Sequence, residues 1–242
     1  MPDDAGPGAP LVVFFYGGSW RAGSKDLYPF VGQAFASRGY VAAIPDYRLY
    51  PRVRYPGFLE DGAAAVTWLA NHLPRTGGGP GSRAVFLVGH SAGAYIAAML
   101  ALDPRWLRAA GGGEPCRLVA AAVGLAGPYD FLPLESRSLR AVFGPGPADA
   151  STQPISHADA TDPPMLLLTG TGDDVVRPGN TLRLAARLRE AGGRAETRLY
   201  DGLGHIRLVA ALAAPLRFTA PVLDDIDGFL QEIAAEPPHD RC

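Results

Sequence analysis

Gly89-His90-Ser91-Ala92-Gly93 sets a serine hydroxyl between two glycines. The apolar run Ala84 to Val88 leads directly into it, and a small-residue stretch from Ala94 to about Ala101 follows. With a strand before and a helix after, G-x-S-x-G is the setting of a serine nucleophile held on a tight turn. Such a turn leaves no room for bulk two residues either side of the serine, and glycine stands at both places. The helix behind it brings unpaired N–H groups and a positive dipole end up to Ser91. The bland alternative is an ordinary turn that happens to contain serine.

A serine hydroxyl needs a base, normally a histidine oriented by a carboxylate. The chain has five histidines. His72 reads as a solvated residue near a helix end, His90 as a packing residue inside the turn, and His239 as part of the tail. His157 falls in an irregular region with no assignable role. His205 closes Asp201-Gly202-Leu203-Gly204-His205, just after the last apolar strand, where a loop swings imidazole over Ser91. For the acid, Gly170-Thr171-Gly172-Asp173-Asp174 follows another strand; Asp173 is the choice, and Asp174 competes as a turn-capping residue. A tetrahedral oxyanion also needs fixed N–H donors. Ala92, after the nucleophile, supplies one, and Gly17 and Gly18 of Tyr16-Gly17-Gly18-Ser19-Trp20 supply the others, unless that segment is a plain strand-ending turn. The order Ser91, Asp173, His205 matches the triad order of α/β hydrolases.

The elements that must position these residues alternate. Apolar strands are expected at Leu11–Tyr16, Tyr40–Ile44, Ala84–Val88, Leu118–Leu125, Met165–Thr169 and Ala195–Tyr200. Helices are expected at Tyr28–Arg38, Phe58–His72, Thr181–Ala191 and Val222–Ala235, the second carrying Phe58, Leu59, Val66, Leu69 and Leu73 on one stripe. Strands alternating with helices imply a parallel sheet covered on both faces, with the site at the carboxyl ends of the strands. Residues 127–163 show little periodicity and many prolines, and read as a loop-rich, cap-like excursion at the site mouth. The lead-in at 1–10, a glycine-rich connection at Thr76–Ser82 and a tail at Glu236–Cys242 complete a chain read as one domain, 1–242.

Composition closes off other functions. At 242 residues, with 48% hydrophobic and 19% charged residues, the chain is globular, and a net charge of -2 favours neither nucleic acid nor an anionic membrane. No apolar run is long enough to span a bilayer. The N-terminus lacks a signal peptide's basic and apolar regions, so a soluble cytoplasmic protein is expected. Cys116 and Cys242 follow no metal or disulfide pattern, and no bridge between them is expected.

Taken together, the motifs resemble those of α/β-hydrolase-fold serine esterases: the carboxylesterase, hormone-sensitive-lipase and feruloyl-esterase-like group, with kynurenine formamidases among its members. The family's H-G-G-x-W appears as Tyr16-Gly17-Gly18-Ser19-Trp20, and its D-Y-R-L segment as Asp46-Tyr47-Arg48-Leu49 with Pro56, Asp61, Ala65 and Trp68-Leu69 beyond. G-x-S-A-G is Gly89–Gly93, G-x-x-D-x-x-V runs from Gly170 through Asp173 to Val176, and G-x-G-H is Gly202–His205. The resemblance covers nearly the whole chain. It implies hydrolysis of small or aromatic acyl esters through an acyl-enzyme, without a metal or organic cofactor. Trp20, Tyr129 and Phe131 are then expected to line the substrate pocket, though each reads equally well as core. The rival activities are arylformamidase chemistry and a catalytically silent scaffold. Two departures stand out. Tyr16 replaces the family's histidine, which implies altered loop packing. The chain also opens almost directly on the oxyanion strand, so the strands that precede it in such folds are expected to be missing, leaving a sheet edge for a homo-oligomer or another partner to cover.

Overall fold

In the computed structural model, the described residues are 8–73, 84–144 and 149–236. Most of the lead-in, the connection at 76–82 and the tail beyond 236, with His239, lie outside them. Six strands form one sheet: β1 (Leu11–Phe15), β2 (Val41–Ala43), β3 (Val85–His90), β4 (Ala121–Leu125), β5 (Met165–Gly170) and β6 (Ala195–Tyr200), in the order β2-β1-β3-β4-β5-β6. Every neighbouring pair is parallel. β1, β3, β4 and β5 are buried at every position, which is why their sequences are continuous apolar runs and do not alternate.

The pleat sends successive side chains to opposite faces. A side chain on Gly62 would meet Phe15 and Ile96, so Phe15 packs towards α2 (Gly57–His72) and α3 (Ala92–Leu102). Its neighbour Phe14 pairs instead with Tyr28, which caps α1 (Pro29–Ala36). Helices therefore cover both faces. α3 is buried along its whole length, with neither a polar stripe nor an exposed side, because it crosses the centre of the sheet beneath α2. Among the described residues, no helix is long and apolar enough to cross a membrane.

Where expectation and structure differ, the cause is local. The strand expected from Leu118 begins at Ala121, because Pro115 opens a short helix, α5 (Pro115–Leu118), after α4 (Pro104–Ala109). The excursion at 127–163 contains α6 (Arg137–Phe143) and two 3-10 turns, and it is tied down: the buried Tyr95 hydroxyl of α3 donates to Thr152 O at 2.7 Å, and Phe131 N donates to Gln153 Oε1 at 2.8 Å. α7 (Gly179–Glu190) and α9 (Val222–Ala235) lie close to their expected spans, while α8 begins on His205 itself (His205–Ala210). Cys116 is disulfide-bonded, contrary to the sequence reading; Cys242 lies outside the described residues.

Candidate active site

The parallel registers align the strand ends, pairing Phe15 with Gly89, His90 with Leu125, Leu125 with Leu168 and Gly170 with Tyr200. All the candidate residues therefore leave the sheet at one edge.

At the end of β3 the chain reverses into α3 within one residue. Ser91 has φ 54° and ψ -120°, a conformation costly for a residue with a side chain. The turn persists because the neighbouring backbone packs too closely for any alternative. A Cβ on Gly89 would lie 2.2 Å from Gly93 O, and one on Gly93 would lie 2.0 Å from Phe15 O. Ser91 N donates to Leu125 O at 2.9 Å, which fixes the turn to β4.

The acid and base arrive on two loops stitched together. Gly172 N donates to Leu203 O at 3.1 Å and Gly202 N to Thr171 Oγ1 at 2.8 Å, while a Cβ on Gly170 would lie 1.9 Å from Leu203 O. Asp173 Oδ1 accepts from Val175 N at 3.0 Å and Val176 N at 2.9 Å. This leaves Asp173 Oδ2 to accept from His205 Nδ1 at 2.7 Å. With its proton on Nδ1, His205 presents the Nε2 lone pair to the Ser91 hydroxyl at 2.9 Å. All three side chains are buried. Asp174 is exposed and takes no part in this relay.

His90 has a larger place than a packing residue. Its Nε2 donates to His205 O at 3.1 Å, and the two rings lie 4.8 Å apart. Burial, reinforced by the neighbouring His205, lowers its pKa to about 3, so it stays neutral. Its ring also abuts β1's end, where a Cβ on Gly17 would lie 2.9 Å from His90 Nδ1. The only sequence signal for this role was adjacency to Ser91. His157 and His72 bond to the carbonyls of Ser151 and Trp68, away from the relay.

Gly17 and Gly18 follow at the end of β1. The Gly17 backbone has the Tyr28 hydroxyl beside it, and its missing side chain makes room for His90 and Ser91. Gly18, at φ +128°, makes the turn that Arg21 N and Ala22 N close on Gly18 O. Ser19 and Trp20 follow with φ 54° and 57°. The N–H groups of Gly18 and Ser19 have no acceptor among the described residues, and Ala92, first in α3, has no intrahelical one.

Tyr16 fits this loop through aromatic packing. Its ring stacks on Tyr28 at 5.6 Å and on Tyr47 at 4.6 Å, and its hydroxyl donates to Asp46 Oδ1 at 3.1 Å. Burial, with Asp46 beside it, pushes the phenol up to about 12. The Tyr47 hydroxyl in turn donates to Tyr16 O at 2.7 Å.

A cavity of about 460 Å³ opens over Ser91, Ala92 and Ser19. Its apolar lining includes Trp20, Phe131, Leu139 and Val176. Trp20 is buried and packs edge-on against Tyr95 at 5.2 Å and Phe143 at 4.9 Å. Tyr129, expected in the pocket, lines no part of this cavity: it is fully buried, with its ring packed over Gly124 and Gly127, whose lack of side chains makes the space.

The BD-FAE family profile matches residues 1–188. A probable isoprenylcysteine alpha-carbonyl methylesterase of Arabidopsis thaliana, ICMEL1, is 28% identical over 90% of this chain and 49% of its own length. Esterase LipQ of Mycobacterium tuberculosis is 29% identical over 94% of this chain and 56% of its own. The chain thus spans about half the length of these curated relatives. Among solved structures, Thermogutta terrifontis esterase 2 with propionate bound superposes with a TM-score of 0.78 at 26% identity, covering 96% of this chain and 87% of that one. The same esterase has also been solved phosphonylated by sarin. With the profile matching well over half its length, the chain belongs to the BD-FAE family.

Proposed function

We propose that this protein is a serine esterase that cleaves carboxylic esters through an acyl-enzyme. The observation that carries the reading is the unbroken relay from Ser91 Oγ through His205 to Asp173, at 2.9 and 2.7 Å. His205 Nε2 takes the Ser91 proton as Oγ attacks the ester carbonyl, and Asp173 stabilises the imidazolium that forms. The N–H groups of Gly18, Ser19 and Ala92 receive the oxyanion, one such donor contributing roughly 10²–10³ in turnover. The imidazolium then protonates the departing alcohol. Water, deprotonated by the same histidine, attacks the acyl-enzyme, releases the acid and restores Ser91. The relatives' esterase activities and the sarin-modified relative point to the same chemistry. A cavity lined in part by aromatic side chains suits small or aromatic acyl groups.

The test is hydrolysis of p-nitrophenyl esters from acetate to laurate by wild type and Ser91→Ala, alongside labelling by a fluorophosphonate. Loss of about 10⁴–10⁶ in kcat in the variant, with labelling of wild type only, is expected. A folded wild type that neither turns over an ester nor takes the label overturns the reading and leaves a silent scaffold. Turnover of an N-formyl aniline in preference to every ester moves the assignment to formamide hydrolysis.

A further inference from the structure

Besides its apolar groups, the cavity lining carries hydrogen-bond donors. Arg177, Asn180 and Arg183 line it, all at the start of α7, and no aspartate or glutamate lines the cavity among the described residues. Asn180 has its carbonyl end occupied: Oδ1 accepts from Tyr129 N at 2.9 Å and Asp130 N at 3.0 Å, so only its NH₂ is left to a ligand. Arg183 is held by Asp130, at 2.5 Å from Nε to Oδ2. Arg177 is exposed and makes no ion pair or side-chain hydrogen bond among the described residues. Stability does not explain its position, because a cation beside a helix N-terminus opposes the helix dipole. It lines the same cavity as Ser91, whose proposed reaction uses no cation.

Resting on the esterase reading, we propose that the site prefers esters bearing a carboxylate, whose anionic end is taken by Arg177 with the Asn180 amide beside it. The apolar remainder of the substrate lies against Trp20 and Phe131. A guanidinium offers a carboxylate two parallel N–H donors, and at the cavity rim it acts both by attraction and by orientation. Neutral esters of the same length leave those donors unmatched.

Two pairs of substrates test this and locate the charge. Mono-p-nitrophenyl glutarate against p-nitrophenyl valerate places the carboxylate on the acyl side. 4-Acetoxybenzoate against phenyl acetate places it on the leaving group. The readout is the ratio of kcat/KM for the anionic over the neutral member. In Arg177→Gln that ratio falls about ten- to hundredfold in at least one pair, the size of a charge-assisted hydrogen bond, and the change lies mainly in KM. In wild type the same ratio falls as salt rises from about 0.01 M to about 1 M. Arg187→Gln, on the same helix and outside the cavity, leaves the ratio where it was. The inference is overturned if both ratios are unmoved in Arg177→Gln, or if Arg187→Gln lowers them equally, which is a bulk-charge effect. In those cases Ser91-dependent turnover of the neutral esters continues. Absence of turnover on every substrate by folded wild type overturns the esterase reading instead.

Discussion

Two strand ends meet at the candidate active site, and they hold their backbones in unusual conformations by different means. At the end of β3, Ser91 is held at positive φ by glycines packed against backbone, with gaps of 2.0–2.2 Å where a Cβ would stand. At the end of β1, Ser19 and Trp20 hold positive φ with full side chains. What stabilises them is distant: Trp20 sits in an aromatic cluster drawn from α2, α3 and the 127–163 excursion, and Tyr50 N donates to Trp20 O at 2.8 Å. The first device is local and admits one residue type. The second is distributed: stacking on Tyr28 and Tyr47 and the bond to Asp46 fix Tyr16 in the same loop.

The sharpest way to break this contrast is Gly93→Ala. The new methyl group would lie 2.0 Å from Phe15 O and 2.6 Å from Tyr16 O, so β1 and the turn must separate; a loss above about 4 kcal/mol is expected, read from the urea midpoint. Near-wild-type stability in this variant means that the two strand ends are not in contact as described.

His90 joins the two ends, and His90→Leu tests that junction. Removing its bond to His205 O loosens the base and lowers kcat by about tenfold or more. A pH signature accompanies the loss. In the folded protein His90 titrates at about 3, against 6.5 for an unburied histidine. Between those values the unfolded chain binds a proton that the folded one does not, so His90 destabilises the fold progressively as pH falls through the window. Its slope of about 1.4 kcal/mol per pH unit disappears in the leucine variant. Thermal unfolding of both proteins from pH 7 down to 4 measures it, and parallel pH profiles would remove His90 from the account.

The smallest effect belongs to the distributed side. Tyr47→Phe removes the hydroxyl that donates to Tyr16 O and nothing else, so a loss of about 1–2 kcal/mol is expected, with turnover reduced less than in His90→Leu. A larger loss than for Gly93→Ala would reverse the ranking of the two devices.

These differences also explain what was legible in the amino-acid sequence. The elbow around Ser91, the acid loop at Asp173 and the G-x-G-H turn are short, and their chemistry depends on neighbours in the chain. The buried strands were equally plain, since a parallel sheet covered on both faces demands apolar runs. The donors beside Ser91 are less legible, because the direction of an amide after a strand depends on what the loop packs against. Tyr129, readable from the sequence as either pocket or core, is placed only by packing, which sets its ring over two glycines.

By itself, the sequence determined the class of fold, the order of its elements and the three side chains of the relay. Each is written in patterns of a few residues, where sterics and hydrophobic burial leave few alternatives. Tertiary structure alone decided that His90 braces His205, that Tyr16 stacks between Tyr28 and Tyr47, and that Arg177, Asn180 and Arg183 line one cavity with Trp20 and Phe131. Those relations join residues far apart in the chain, 115 positions in the case of His90 and His205. Only the closing of the sheet and the docking of α7 bring such groups within reach of one another.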